Sequence, residues 1–223
     1  MSYLFPVIAF LLFIKNKGKI FPKVLPLLIY SIVFFLTTFF FDQITPSPVS
    51  PRIFNFLFTL TEYILFATLL TYWYQTNKTF LKTVFIGSIF FLLFHTFYSL
   101  WVKAGLIDSV SIGICTLLMF AYIFYYIFLE LNRDETKMPG MSLATQPTFW
   151  IALGILVYLA GTFFFHLLID YLPKEQIRQY WFITYIFDII KNIFFTIAIF
   201  VYIRQANKKP QAQKTNEPFL NFL

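Results

Sequence analysis

Long apolar stretches alternate with short polar segments along the whole chain. A helix that crosses the hydrocarbon core of a bilayer needs about 20 apolar residues, within a range of roughly 17–25. Breaks at charged clusters and at Pro, Gly or Asn divide the chain into seven candidate spans. These are residues 2–14, 24–41, 53–74, 83–102, 109–129, 148–172 and 179–203. The pattern predicts an all-α, polytopic bundle of seven transmembrane helices over 1–203, followed by a polar cytoplasmic tail over 204–223.

Residues 2–14 form the weakest of these candidate spans. At about 1.5 Å per residue they reach roughly 20 Å, which is short of a hydrocarbon core of about 30 Å. They do not resemble a signal peptide, because no basic residue precedes them and no small-residue cleavage site appears. One interpretation is a short first helix that thins the bilayer or tilts little. The other is six spans preceded by an interfacial N-terminal segment.

Composition agrees with a membrane protein and argues against several other classes. The mean hydropathy is +0.74, and 12% of the residues are charged, whereas a soluble domain has about a quarter. The single cysteine, Cys115, excludes a disulfide framework and a cysteine metal site. We expect no cofactor, no metal site and no catalytic residue. Nucleic-acid binding is not expected despite the net charge of +7, because the basic residues follow a topological pattern.

The distribution of basic residues predicts the orientation of the bundle. Short loops on the cytoplasmic side carry an excess of Lys and Arg. Alternate connections hold 12 basic residues on one side, within 15–23, 78–82, 133–137 and 204–214, and 4 on the other. This asymmetry predicts an extracytoplasmic N-terminus, a cytoplasmic C-terminus and a multi-pass protein of the cell inner membrane.

Three charged residues fall well inside the candidate spans, namely Glu62, Asp188 and Lys191. An ionisable side chain within hydrocarbon costs several kcal/mol, so each of them calls for an explanation. Glu62 and Lys191 both lie near the middle of their spans, and we expect them at the bilayer midplane. Asp188 should lie about 4.5 Å nearer the outside.

Further polar residues occur at similar depths on other helices, and helical spacing groups them with the three charges. We hypothesise that they line a shared interior site that opens outward and binds a small ligand. The predicted ligand-binding residues are Glu62, Asp188, Lys191, Asn192, His95, His166, Tyr158 and Thr59. The alternative is a structural network in which Asp188 pairs with Lys191 and the histidines are merely hydrogen-bonded. Gly154 and Gly161, which are seven residues apart on one face, are expected to allow close helix packing.

Several short segments carry a resemblance to uncharacterised bacterial seven-helix membrane proteins, some of which are associated with sensor histidine kinases. The segments are Thr61-Glu62-Tyr63, Phe149-Trp150, Gly161-Thr162-Phe163-Phe164 and Ile190-Lys191-Asn192-Ile193. The resemblance implies a sensor or receptor-like input module and brings no catalytic residues with it. Nothing kinase-like follows Arg204, so the expected partner is a separate cytoplasmic signalling protein, reached through Glu130–Gln146 and the tail.

Other functions stay open at this point. A small transporter is one, because ionisable residues at the midplane suit proton-coupled movement. A retinal-binding protein is a more remote one, with Lys191 as the attachment point and Asp188 or Glu62 as counter-ion. Seven-helix zinc hydrolases of the ceramidase type need about three His with acidic ligands, and the chain has two His. The motifs of zinc proteases, α/β-hydrolases and P-loop proteins are also missing, so an enzyme is not expected.

Overall fold

The computed structural model describes residues 3–13, 17–44, 51–73, 77–101, 109–132, 143–168 and 171–208, and all regular secondary structure within them is helical. Its α-helices are α1 (Leu4–Phe13), α2 (Lys17–Ile44), α3 (Pro51–Trp73), α4 (Lys78–Trp101), α5 (Ser109–Leu131), α6 (Pro147–Leu168) and α7 (Lys174–Lys208). A 3-10 turn, Leu143–Thr145, precedes α6. One helix therefore corresponds to each predicted stretch, and the predicted all-α fold is confirmed.

Several helices extend beyond the predicted apolar stretches, because polar residues at their ends are also helical. α2 begins at Lys17 and continues through Pro22, within residues 15–23, where the sequence predicts a break between two spans. α4 begins after Asn77, whose side-chain oxygen accepts a hydrogen bond of 2.9 Å from the backbone N–H of Phe80. This is the N-cap geometry that starts a helix by satisfying a free N–H group.

The last helix, α7, is 35 residues long and would measure about 52 Å. It includes residues 204–208, which the sequence analysis assigned to the tail. The remainder of that predicted tail, residues 209–223, lies outside the described residues.

Helices α4, α5, α6 and α7 each contain a stretch long and apolar enough to cross a membrane. Shorter apolar stretches, Val24–Thr37 and Phe56–Tyr72, lie within α2 and α3. α1 has 10 residues and reaches about 15 Å. The four long apolar helices indicate an integral membrane protein that contacts lipid.

Packing is closest between α6 and α7. A Cβ atom placed on Gly154 would lie 3.0 Å from the Phe194 Cβ, and one on Gly161 would clash with ring atoms of Phe187. The predicted packing role of these two glycines is therefore confirmed. α1 packs mainly on α7 and α2. α4 lies at the periphery, since 22% of its apolar stretch is buried against 39% for α5 and α7 and 44% for α6.

Candidate functional site: a buried lysine between two carboxylates and five aromatic rings

Lys191 and Asp188 form an ion pair inside the bundle. They are three residues apart on α7, and the Lys191 Nζ lies 2.6 Å from the Asp188 Oδ1. Lys191 is 0% exposed and Asp188 is 7% exposed. The Asn192 amide, which is also 0% exposed, donates to the Asp188 backbone carbonyl at 2.9 Å and to its Oδ2 at 3.3 Å. The three side chains are thus fixed to one another on one stripe of α7.

Five aromatic rings surround the Lys191 ammonium. The Tyr158 ring of α6 is nearest, with its centroid 3.9 Å from the Nζ. The other centroids lie 5.4 to 5.7 Å away and belong to Tyr3, Tyr30, Phe34 and Phe66. A cation within about 6 Å of a ring centroid is attracted by the ring, and more strongly where water is excluded. The rings therefore supply part of the stabilisation that water gives an exposed ammonium.

Glu62 reaches the same cluster from α3 and is 9% exposed. The Tyr158 hydroxyl is placed to donate a hydrogen bond to the Glu62 carboxylate, while the Tyr158 ring faces the Lys191 ammonium. Tyr158 thus connects the acidic residue of α3 to the basic residue of α7. Glu62 also interacts electrostatically with both Lys191 and Asp188. Below, the Lys191 cluster means Glu62, Tyr158, Asp188, Lys191 and Asn192, together with the rings of Tyr3, Tyr30, Phe34 and Phe66.

Two polar atoms of the Lys191 cluster have unused hydrogen-bonding capacity. They are the Glu62 Oε1 and the Tyr30 hydroxyl, which are buried and make no hydrogen bond within the described ranges. Tyr30 is 0% exposed. Buried polar groups are normally paired, and exceptions mark a place for water, an ion or a ligand. These two atoms are therefore available to a further hydrogen-bonding molecule.

Not every residue predicted for the site belongs to the Lys191 cluster. His95 lies at the α3–α4 interface, where its Nε2 donates to the Phe56 carbonyl at 3.2 Å. Its ring stacks on that of Phe56, with centroids 4.4 Å apart. Thr59 is buried one turn before Glu62 on α3. His166 lies in α6, and its side chain is outside the described part of the molecule.

A second polar group lies on a different face of α3 and consists of neutral hydroxyls. The Tyr63 hydroxyl lies 2.9 Å from the Ser88 Oγ and 3.0 Å from the Tyr122 hydroxyl. Ser88 donates in turn to the Val84 carbonyl at 2.8 Å. We call Tyr63, Ser88 and Tyr122 the hydroxyl network. It joins α3, α4 and α5 without a charged residue.

A third polar group joins the helices at the end where α7 finishes. Gln146 donates to the Glu130 carboxylate at 2.7 Å. Trp150 donates to the Ala144 carbonyl at 2.7 Å, and Gln205 of α7 donates to the Thr145 carbonyl. Residues 143–146 are therefore attached to α5, α6 and α7 together.

Of the five rings around Lys191, the sequence predicted only Tyr158 as a site residue and gave no prediction for Tyr3, Tyr30, Phe34 and Phe66. Phe and Tyr make up 47 of the 223 residues, 33 and 14 respectively, so no single ring stands out by position. The one usable signal is Tyr30, a polar-tipped residue near the middle of the second span, with Phe34 one turn later. Tyr3 gave no signal, because its span was the weakest and its partner helix was not predictable.

Chemically, the cluster can exchange ion-pair and hydrogen-bond partners. Two carboxyl groups, one ammonium and three tyrosine hydroxyls lie close together, and helices α2, α3, α6 and α7 as well as the start of α1 all contribute. Among the described residues, no group of three or more His, Cys, Asp or Glu is arranged to hold a metal ion.

No protein-family model, curated protein or solved structure matches the chain, so its function has to be inferred from the geometry of the cluster.

Proposed function

We propose that this protein is a seven-helix sensor of the cell inner membrane that responds to a small ligand at the Lys191 cluster. Its N-terminus would be extracytoplasmic and its C-terminus cytoplasmic, as the basic residues of the loops indicate. One observation carries the proposal. A single buried ammonium on α7 is held by groups from four other parts of the chain. Intramembrane charges of this kind are expensive and are typical of functional sites.

The ligand that suits the cluster is a small polar molecule with a hydroxyl or an amine. Glu62 Oε1 accepts a hydrogen bond and so favours a donor group, whereas the Tyr30 hydroxyl can pair with either a donor or an acceptor. An amine would also compete with the Lys191 ammonium for the two carboxylates and for the aromatic rings. Binding would then loosen the Lys191–Asp188 pair. A ligand shifts a conformational equilibrium only through such a difference in contacts between two states.

The output would travel along α7. The helix that carries Asp188 and Lys191 continues to Lys208, on the side that the basic residues assign to the cytoplasm. Near that end Gln205 donates a hydrogen bond to the Thr145 carbonyl, and Gln146 donates one to the Glu130 carboxylate. A change at the ion pair would therefore move a surface formed by the end of α7 and the 143–146 connection. A separate cytoplasmic protein would read that surface.

A small proton-coupled transporter is the second candidate. The observation that favours it is a buried carboxylate, Glu62, with one oxygen unpaired beside an ammonium and a tyrosine. Ionisable residues within the bilayer also serve as proton relays in transporters. In that case the Lys191 cluster would bind and release a proton during each cycle of transport.

The sensor proposal is tested by measuring whether the cluster controls the end of α7. Nitroxide labels are attached at Asn132→Cys, directly after α5, and at Arg204→Cys on α7, which are both exposed positions, in a Cys115→Ala background and in nanodiscs. Pulsed electron–electron double resonance then gives the distribution of distances between the two labels in the protein with the unsubstituted cluster, in Glu62→Gln and in Lys191→Met. We expect each substitution to add a second distance population. His95→Gln, outside the cluster, should leave the distribution unchanged.

Unchanged distributions in both cluster variants would contradict the sensor proposal. The transporter alternative is examined in parallel with proteoliposomes that enclose a pH-sensitive dye and receive an imposed proton gradient. A sensor should give no proton flux above that of empty vesicles. A flux that disappears in Glu62→Gln would favour transport instead.

A further inference from the structure

A cavity of about 550 Å³ lies between α3 and α4, on the side of α3 away from the Lys191 cluster. Its size falls within the range of about 300–1,000 Å³ that small-molecule sites have. α3 contributes residues from Tyr63 to Thr71, and α4 contributes residues from Leu81 to Leu92. We call this cavity the α3–α4 groove. It plays no part in the sensor mechanism described above.

The lining of the groove is amphipathic along its length. Its walls are largely apolar, with Ile64, Ala67, Phe85 and Leu92 among them. Lys82 lies near one end, and the Tyr63 and Ser88 hydroxyls lie farther along. The distance from Lys82 to Leu92 along α4 is about 15 Å. That is about half of a hydrocarbon core of roughly 30 Å, and hence about one leaflet.

We infer that the α3–α4 groove binds one acyl chain of a phospholipid with an acidic headgroup. The apolar walls suit the chain, and the ammonium of Lys82 suits the phosphate and the negative headgroup. Lys82 is exposed in the first two turns of α4, as is Lys78. The loop distribution of basic residues assigns this end to the cytoplasmic leaflet, where acidic lipids attract basic side chains near the membrane surface.

The position of α4 supports a lipid as the occupant. α4 is the least buried of the four long apolar helices, and its exposed residues include Phe85, Ile89, Phe90 and Leu93. In a bilayer such a surface faces lipid, so the groove opens onto the hydrocarbon phase. A water-soluble ligand would not reach it by that route, whereas a lipid already surrounds it.

The inference is tested by native mass spectrometry of the purified full chain. Phosphatidylglycerol and phosphatidylcholine of the same acyl composition are added in equal amounts, and the lipids that remain bound are counted. We expect one retained lipid with a preference for phosphatidylglycerol. Lys82→Gln should reduce the ratio of acidic to neutral lipid by about fivefold, since one basic side chain near the surface contributes about that factor.

Two matched variants control for general effects of charge and bulk. Lys78→Gln removes the same charge one turn earlier, outside the groove lining, and should leave the lipid ratio largely unchanged. Thr68→Trp places a large ring in the groove and should remove the retained lipid of either kind. Ile86→Trp adds the same ring on an exposed position of α4 that does not line the groove, and it should retain the lipid.

Three outcomes would overturn the inference. Full retention in Thr68→Trp would show that the lipid is bound elsewhere. An equal drop in the ratio of acidic to neutral lipid in Lys82→Gln and Lys78→Gln would mean that general surface charge, and not Lys82, sets the headgroup preference. Equal retention of both lipids by the unsubstituted chain would mean that the groove does not select an acidic headgroup. None of these results depends on the Lys191 cluster.

Discussion

The two sides of α3 hold polar groups inside the membrane in different ways. Glu62 and Tyr63 are consecutive residues, and they contribute to different polar groups. Glu62 joins a cluster with charges on α7, whereas Tyr63 joins neutral hydroxyls on α4 and α5. The hydroxyl network needs three side chains and one carbonyl. The Lys191 cluster draws on five elements, because an ammonium without water needs counter-charges and rings around it.

The comparison indicates which side is structural and which is suited to change. Neutral hydroxyls pair with each other and with the backbone at modest cost, and such bonds stabilise helix packing by about 0.6–2 kcal/mol. A buried ion pair is often no better for stability than well-packed apolar residues. Stability alone is therefore a weak reason for a buried ion pair in the Lys191 cluster, and this agrees with the functional role proposed for it.

Removing one charge from the Lys191 cluster should have the largest effect on stability. We expect Lys191→Met to lower the free energy of unfolding by about 3–5 kcal/mol, because Asp188 is left buried without its counter-charge. Asp188→Asn should cost a similar amount, because the buried Lys191 ammonium then lacks its nearest counter-charge. Unfolding in mixed detergent micelles, followed by circular dichroism, gives these values.

The double variant makes this prediction specific to the ion pair. Lys191→Met combined with Asp188→Asn should cost clearly less than the sum of the two single changes, since no unpaired charge remains in that pair. Lys82→Met, an equivalent change at an exposed position of the groove side, should alter stability by no more than about 0.5 kcal/mol. Strict additivity of the two cluster substitutions would contradict the pairing seen in the structure.

A comparison of two glycines extends the contrast to helix packing. Gly161→Ala should destabilise the protein by about 1–3 kcal/mol, because its new methyl group would meet the Phe187 ring at the tight α6–α7 interface. Gly87→Ala should cost less, about 1 kcal/mol. Its methyl group would meet the Tyr122 hydroxyl and would displace it from the hydroxyl network.

The Gly87 effect has its own control. In a Tyr122→Phe background the displaced hydroxyl is already absent and only ring carbons remain close, the nearest at 2.9 Å, so Gly87→Ala should then cost less than in the unsubstituted protein. Gly161→Ala should keep its full cost in that background, because Phe187 is untouched. Equal costs of Gly87→Ala in both backgrounds would mean that the hydroxyl network is not what the substitution disturbs.

Sequence reasoning found the elements more completely than it found the contacts between them. The number of helices followed from hydropathy, because lipid requires long apolar stretches. Helix ends were less predictable, since polar residues such as Lys78 and Lys174 belong to the helices that they start. The Asn77 cap was readable in principle, because Asn is favoured immediately before a helix.

The charged residues of the site were predictable from the sequence for a physical reason that does not apply to most of its aromatic residues. Glu62, Asp188 and Lys191 are rare residue types in lipid, so their positions alone mark them. The rings around Lys191 are Phe and Tyr, which together make up 47 of the 223 residues, so their positions alone do not mark them. His95 was grouped with the charges by depth, but depth does not give direction around the bundle axis. Its interactions lie instead with Phe56, on the α4 side of α3.

The smallest predicted effect concerns this separation of the two sides. His95→Phe keeps the stacked ring and removes the hydrogen bond to the Phe56 carbonyl, so it should cost about 0.5–1.5 kcal/mol. Since His95 and Lys191 share no hydrogen-bond, ion-pair or ring partner among the described residues, the two effects should add. The variant with both His95→Phe and Lys191→Met should match the sum of the single changes within about 0.3–0.5 kcal/mol. A larger coupling energy in the same unfolding assay would mean that the histidine communicates with the ion pair through α3, and the two sides would then act as one site.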